Sequence, residues 1–184
     1  MVISIDLDGV IFNFVKGFGD FLERLGFSVP ADRKVTQWNF LDWNIPEVAN
    51  YLNIFILNSG YRYLDLHEEY SPEIIKDLKA KGHSVIFNSS RGATYLKQKD
   101  YDNYYKAWSD THYCLRNWGI DFKKQDLIFP ISKDSVDFDL HVDDDIKTVK
   151  SLTKGRVLLY NQPYNENEQW DDRVFSLASI YKYI

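Results

Sequence analysis

Acidic residues follow two separate apolar runs of the sequence. Asp6 and Asp8 close the first run, and Asp143 and Asp144 follow a later one. Asp6 and Asp8 are two residues apart, so on an extended chain their side chains point to the same side. Converging carboxylates repel one another strongly at low dielectric unless a divalent cation sits between them. A ligand set made only of oxygens favours a hard cation, and we expect Mg²⁺.

A hydroxyl and an ammonium follow two further apolar runs. Ser89 ends one run, and Lys133 lies just past another. These groups would hydrogen-bond and neutralise phosphoryl oxygens, while a metal would offset the repulsion between an anionic nucleophile and an anionic phosphate. Phosphoryl transfer depends mostly on positioning and charge stabilisation, so the sequence predicts a site for that chemistry.

Short strands must position these side chains. We predict them at residues 2–7, 83–89, 126–130, 139–142 and 156–160. Helices are predicted at residues 14–25, from residue 71, at 100–118 and at 144–152. Strands that alternate with helices predict an α/β fold with a parallel sheet covered on both faces. Ligands bind such sheets at the carboxyl ends of the strands, where the polar residues lie.

Residues 27–70 lack a regular pattern and are rich in Trp, Tyr, Phe and Asn, which indicates a separate unit of short helices and loops. Aromatic side chains fill cores, and they also stack on flat ligands. Each candidate for stacking is, taken alone, more often a core residue. The candidates are Trp38, Phe40, Trp43, Tyr61 and Tyr63.

Composition narrows the class of protein. The net charge is −5, from 27 acidic and 22 basic residues, which argues weakly against a surface for long nucleic acid or an anionic membrane. Cys114 is the single cysteine, so an intramolecular disulfide and a Cys-rich metal site are excluded. No apolar run approaches the ~20 residues of a membrane span, and the N-terminus has no signal pattern. We expect a cytoplasmic protein.

Four of these features resemble the four motifs of the haloacid dehalogenase superfamily: DLDGV at residues 6–10, the strand that ends at Ser89, Lys133, and the pair Asp143-Asp144. The chain is more similar to one branch, the 5′(3′)-deoxyribonucleotidases of bacterial and phage type. Lys133 stands ten residues before Asp143, as in that branch. Further similar segments are GYRYLDL (60–66), YYKAW (104–108) and NQPYNENEQWDDRV (161–174). The resemblance covers most of the chain and is weak across residues 27–58.

The resemblance implies catalytic roles. Asp6 would be the nucleophile and would form an aspartyl-phosphate. Asp8 would protonate the leaving sugar oxygen and then activate the hydrolytic water. Asp6, the backbone carbonyl of Asp8, and Asp143 would hold Mg²⁺, with Asp144 supporting them.

It also implies substrate contacts. Ser89, Ser90 and Lys133 would bind phosphate, and Arg91 could do so or could close a turn with Gly92. Lys106 and the five aromatic residues are candidates for contacts with the rest of the substrate. Two departures from the branch are Asn13, where an acid is frequent, and Ser89, where threonine is common.

The implied architecture is a Rossmann-like core at residues 1–13 and 71–184, with a small helical cap at residues 14–70. The implied activity is hydrolysis of nucleoside monophosphates, with a small-molecule nucleotide as the partner; the oligomeric state stays open. Two alternatives remain. One is a phosphatase for another small phosphate or a nucleic-acid end. The other is a catalytically silent nucleotide-binding module, which would not need both Asp6 and Asp8.

Overall fold

A computed structural model describes residues 1–37 and 39–184. Six strands form one sheet in the order β3-β2-β1-β4-β5-β6, and every neighbouring pair is parallel. The strands are β1 (Val2–Ile5), β2 (Ser84–Asn88), β3 (Leu127–Ile128), β4 (Leu140–Asp143), β5 (Arg156–Tyr160) and β6 (Arg173–Val174). The predicted α/β fold with a parallel sheet is confirmed.

The central strand sets the geometry of the site. Ile3 of β1 lies opposite Val85 of β2 on one side and opposite Leu140 of β4 on the other. All three residues are buried, because helices cover both faces of the sheet. Parallel strands in this register end together, so the residues that follow β1, β2 and β4 meet at one edge.

Six α-helices lie among the described residues. They are α1 (Phe14–Arg24), α2 (Val48–Leu57), α3 (Ser71–Ala80), α4 (Ala93–Gln98), α5 (Tyr101–Asn117) and α6 (Ile146–Ser151). The side chain of Asn13 accepts a hydrogen bond from the Lys16 amide at 3.0 Å and so caps α1. Asp145 caps α6 in the same way. Short 3₁₀ turns include Leu41–Trp43, Gly60–Tyr63 and Ser90–Gly92.

The structure differs from the prediction at short elements. β3 has two residues where five were predicted, and β6 and α4 were not predicted at all. β6 is also two residues long, and α4 is a six-residue helix directly after the 3₁₀ turn Ser90–Gly92. Segments this short carry too little periodicity to identify a strand or a helix.

Residues 14–70 are called here the insertion segment. The chain enters this segment and leaves it at neighbouring positions. The Asn13 amide donates to the Asp65 carbonyl at 2.9 Å, and the His67 amide donates to the Ile11 carbonyl at 2.8 Å. Phe12 also forms an antiparallel bridge with Leu66. We call these contacts the neck. Buried side chains of the insertion segment belong to the same hydrophobic cluster as those of the sheet.

None of the helices in the described part of the chain is both long and apolar enough to cross a lipid bilayer.

Candidate active site

A buried ion network lies at the carboxyl edge of the sheet. Asp6 follows β1, and its amide continues the sheet by donating to the Val142 carbonyl at 2.9 Å. The Nζ atom of Lys133 lies 2.8 Å from Oδ1 of Asp6 and 2.7 Å from Oδ2 of Asp143. All three charged side chains are more than nine-tenths buried. The strand ends thus bring one ammonium between two carboxylates.

Burial and charge act on these groups in opposite directions. Burial raises the pKa of Asp6 to about 7, with Lys133 opposing and Asp143 adding to the rise. Burial alone would also raise the pKa of Asp143, but Lys133 and His141 lower it to about 2. The pKa of Lys133 stands above its ordinary value because the two carboxylates outweigh its burial. A single lysine therefore does not fully compensate the acids around it.

Asp144 completes a cluster of three carboxylates. Oxygen atoms of Asp6, Asp143 and Asp144 all lie within 4.8 Å of one another. Burial, with the charges of Asp6 and Asp143, raises the pKa of Asp144 well above its usual range. Tyr164 donates its hydroxyl hydrogen bond to Asp144. A divalent cation with oxygen ligands fits this donor set, because it would supply the positive charge that the cluster lacks.

Gly9 leaves room for that cluster. Its φ angle is +82°, and a Cβ atom on it would collide with the Asp144 carboxylate and the Tyr164 hydroxyl. Its carbonyl accepts a hydrogen bond from Nε2 of Gln162 at 2.5 Å. A residue with a side chain would therefore meet both backbone strain and a steric clash at this position.

The carboxylate of Asp8 pairs with Arg91 and not with Lys133. Nε of Arg91 donates to Oδ2 of Asp8 at 2.9 Å, and Nη2 donates to Oδ1 at 2.6 Å. The backbone amide of Arg91 donates to Oγ of Ser89 at 3.3 Å. Ser89 is buried and Ser90 is exposed. Both serines directly follow β2, whereas the predicted strand included Ser89 as its last residue.

The catalytic and phosphate-binding candidates line one cavity of about 480 Å³. All six are polar, and we call them the polar floor of the cavity: Asp6, Asp8, Ser89, Ser90, Arg91 and Lys133. Phe40 and Tyr61 lie in its wall with Phe14, Leu52 and Ile56. A second cavity of about 520 Å³ shares Phe14 and Tyr164 with the first but contains none of those six residues. The chemistry therefore belongs to the first cavity.

Three substrate-binding candidates lie outside the lining of this cavity. Trp43 is buried and donates from Nε1 to the Lys34 carbonyl at 3.0 Å, so it is part of the core. Tyr63 is 73% exposed. Nζ of Lys106 is held by Asp110 at 2.7 Å and Ser59 at 2.5 Å. The remaining candidate, Trp38, lies outside the described residues.

Four residues near the site were not predicted from the sequence. His141 lies 3.3 Å from Asp143 through Nε2, and its position two residues earlier on the same strand was a usable signal. Thr111 contacts Arg91, Tyr164 contacts Asp144, and Phe14 lines the cavity. The partners of Thr111 and Tyr164 lie 20 residues away along the chain, and no local pattern relates them.

The fold and the site define an α/β protein with acids after the first and fourth strands of a parallel sheet and a serine after the second. The family model described as 5′ nucleotidase, deoxy (pyrimidine), cytosolic type C protein (NT5C) matches residues 1–184. The chain belongs to this family. It is thus a phosphoric monoester hydrolase of the nucleotidase kind. The resemblance inferred from the sequence motifs is confirmed.

The solved structures that match the chain have little sequence in common with it. A haloacid dehalogenase-like hydrolase from Streptococcus pneumoniae is 11% identical, with a TM-score of 0.47; the match covers 99% of this chain and 97% of that one. A HAD-superfamily hydrolase of subfamily IA from Geobacter sulfurreducens is 15% identical, with a TM-score of 0.45; the match covers 100% and 98%. No curated protein sequence matches the chain.

Proposed function

We propose that the protein is a Mg²⁺-dependent phosphatase that hydrolyses deoxyribonucleoside monophosphates through an aspartyl-phosphate on Asp6. The observation that carries the proposal is the contact between Lys133 and Asp6 at the floor of the cavity. The pairing favours an ionised Asp6 carboxylate, which is the nucleophilic form. A phosphate in the cavity would meet this carboxylate beside a fixed positive charge.

The proposed reaction has two displacements at phosphorus. The Asp6 carboxylate attacks, its new P–O bond forms as the ester P–O bond breaks, and Asp8 gives a proton to the leaving sugar oxygen. Asp8 then takes a proton from a water whose oxygen attacks the same phosphorus. Inorganic phosphate leaves and Asp6 is restored. Ser89 and Lys133 would bind the non-bridging oxygens in both steps.

Asp6, Asp143 and Asp144 would hold the metal ion, together with the Asp8 carbonyl. The three carboxylates lie within 4.8 Å of one another, and an all-oxygen set suits Mg²⁺. When bound, Mg²⁺ supplies positive charge that reduces the repulsion between Asp6 and the substrate phosphate. Tyr164 orients Asp144 by donating a hydrogen bond to it.

The wall of the cavity supports a flat, partly apolar substrate. Phe14, Phe40 and Tyr61 add aromatic surface to the lining of the cavity. The volume of the cavity is in the range of small-molecule sites. A nucleoside would place its base against these rings and its phosphate at Asp6. The rings all come from residues 14–70, so we propose that this segment acts as the cap over a core of residues 1–13 and 71–184.

Phosphate release from a panel of substrates tests the proposal. The panel contains deoxy- and ribonucleoside monophosphates, sugar phosphates and a 5′-phosphorylated oligonucleotide, each with Mg²⁺ and with EDTA. We expect Mg²⁺-dependent release concentrated on the deoxyribonucleoside monophosphates. Phosphate release mainly from sugar phosphates or from the oligonucleotide would overturn the proposed substrate class but not the proposed mechanism.

Asp6→Asn tests the nucleophile, because it keeps the size of the side chain and removes its negative charge. We expect no detectable turnover in this variant. Asp139→Asn is the matched control: Asp139 accepts from the Val2 amide at 2.7 Å at the opposite edge of the sheet, and we expect full turnover. If wild-type protein binds nucleotide but releases no phosphate from any substrate, the protein is a binding module instead.

A further inference from the structure

The guanidinium of Arg91 is fixed on two sides by hydrogen bonds. One edge forms the bidentate pair with Asp8, at 2.9 and 2.6 Å. On the other side, Nη1 donates to Oγ1 of Thr111 at 2.8 Å, and Thr111 in turn donates to the Ala107 carbonyl at 2.8 Å. Thr111 and Ala107 belong to α5. The longest helix of the protein therefore anchors the arginine that holds Asp8.

Aromatic rings hold the same guanidinium from its faces. Its central carbon lies 4.2 Å from the ring centroid of Tyr61 and 5.3 Å from that of Phe12. The Arg91 side chain is 1% exposed and that of Asp8 is 14% exposed, and both residues line the cavity. Each of the three guanidinium nitrogens already donates to a protein group, so Asp8 is the more accessible of the two residues to a substrate.

We propose that Arg91 is a positioning residue that acts through Asp8, and not a ligand for the substrate phosphate. The inference rests on the proposed function, in which Asp8 transfers protons. A bidentate guanidinium fixes both side-chain torsions of a carboxylate, because two parallel hydrogen bonds allow one orientation. Each Asp8 oxygen accepts one of these bonds and keeps a further lone pair, which can carry the proton given to the leaving oxygen and later accept a proton from water.

The arrangement ties the acid–base residue to three separate parts of the chain. Arg91 comes from the turn after β2, Thr111 from α5 and Tyr61 from the insertion segment. Loss of the Thr111 contact would loosen the guanidinium without touching Asp8 directly. The positioning role therefore predicts graded effects: large at Arg91, smaller at Thr111, and both on the rate of the chemical step.

Steady-state kinetics on the best deoxyribonucleoside monophosphate separate this role from phosphate binding. For Arg91→Met we expect kcat to fall by about ten- to a hundredfold, with KM and the inhibition constant of inorganic phosphate nearly unchanged. Arg91→Lys should recover part of kcat, and Thr111→Val should lower kcat by a smaller factor than Arg91→Met. A large rise in KM and in the phosphate inhibition constant would overturn the proposal, and so would an unchanged kcat.

Arg156→Met is the matched control, since Arg156 forms the same bidentate pair with Asp172, at 2.9 and 3.3 Å, away from the cavity. It should leave kcat and KM unchanged. If Arg91→Met does not fold, Arg91→Lys and Thr111→Val decide: lower kcat at constant KM supports the proposal, and wild-type kcat refutes it. Asp8→Asn separates a failure of the proposed function from a failure of the inference about Arg91. If it keeps full activity, the proposed function fails. If it is inactive while the Arg91 variants match wild type, this inference alone fails.

Discussion

The ammonium of Lys133 lies 2.8 Å from Oδ1 of Asp6, and both side chains are almost fully buried. Lys133 is also the cation nearest Asp143, at 2.7 Å. It thus offsets part of the charge that the acidic cluster carries. The protein's stability and its metal binding should therefore be coupled at this residue.

Lys133→Met should destabilise the protein most when no divalent cation is present. Removal of one partner from a buried ion pair costs about 3–5 kcal/mol, and here two buried carboxylates lose their shared cation. Mg²⁺ should restore part of the loss by supplying charge to the same acids. Urea unfolding in EDTA and in excess Mg²⁺ measures both values.

Lys81→Met is the control for that experiment, because Lys81 pairs with Asp77 at 2.7 Å on the surface. Exposed pairs contribute little, so its unfolding free energy should change much less and should not depend on Mg²⁺. Equal losses for Lys133→Met with and without Mg²⁺ would contradict the coupling.

Mg²⁺ should raise the unfolding free energy of the wild-type protein. A ligand that binds only the folded state stabilises it by about 2.7 kcal/mol at one hundred times its dissociation constant. Asp143→Asn should remove most of this gain, since Asp143 is fully buried within the cluster. Asp139→Asn should keep it. Denaturant unfolding against Mg²⁺ at constant ionic strength gives the result, and an undiminished gain in Asp143→Asn would exclude Asp143 as a ligand.

Gly9→Ala should impair catalysis as well as stability. Its φ of +82° and the clash with Asp144 and Tyr164 both oppose a side chain. Gly26→Ala is the matched control: φ is +88°, but a Cβ atom there meets nothing within 4 Å. It should cost only the left-handed backbone strain, about 1–2 kcal/mol. We expect Gly9→Ala to cost more and to lower turnover at least about tenfold. Equal behaviour of the two variants would show that Asp144 tolerates displacement.

His67 should make the protein less stable in mild acid. Burial lowers the pKa of His67 below the ordinary value of 6.5, and the charge of Glu68 opposes this shift. Nε2 of His67 lies 3.2 Å from Nε2 of the Gln162 side chain. The unfolded chain therefore binds a proton more readily than the folded one. The stability contributed by neutral His67 is complete above pH 6.5 and is lost as the pH falls from there through the folded-state pKa.

His67→Gln should flatten this part of the pH profile of the unfolding free energy. Burial also lowers the pKa of His112, but His112 is present in both proteins, so the difference between their profiles reports on His67. Parallel profiles from pH 7 to pH 5 would show that His67 is not the group responsible.

The meeting of the candidate residues at one edge of the sheet could be predicted because it depends on local patterns. Apolar runs identify strands, and parallel strands place their ends together, so Asp6, Ser89 and Asp143 could be assigned to one site. The contact between Arg91 and Asp8 could not, since the two residues lie 83 positions apart and no local pattern relates them.

The aromatic residues show a second limit. Phe40 and Tyr61 line the cavity while Trp43 is buried in the core and Tyr63 faces solvent. Their segments form short 3₁₀ turns, and Phe40 itself has a φ of +59°. Without a regular period, side-chain direction depends on packing between distant segments, which composition does not encode.

The neck has a consequence for how this protein can diversify. The chain departs after Asn13 and returns at Asp65, and these two residues share a backbone hydrogen bond of 2.9 Å. Because entry and exit are neighbours, the excursion between them can lengthen, shorten or be exchanged with little change to the sheet. Under the proposed cap role, the same sheet edge can carry insertion segments of different length and sequence, and substrate selectivity can change without a change in the core.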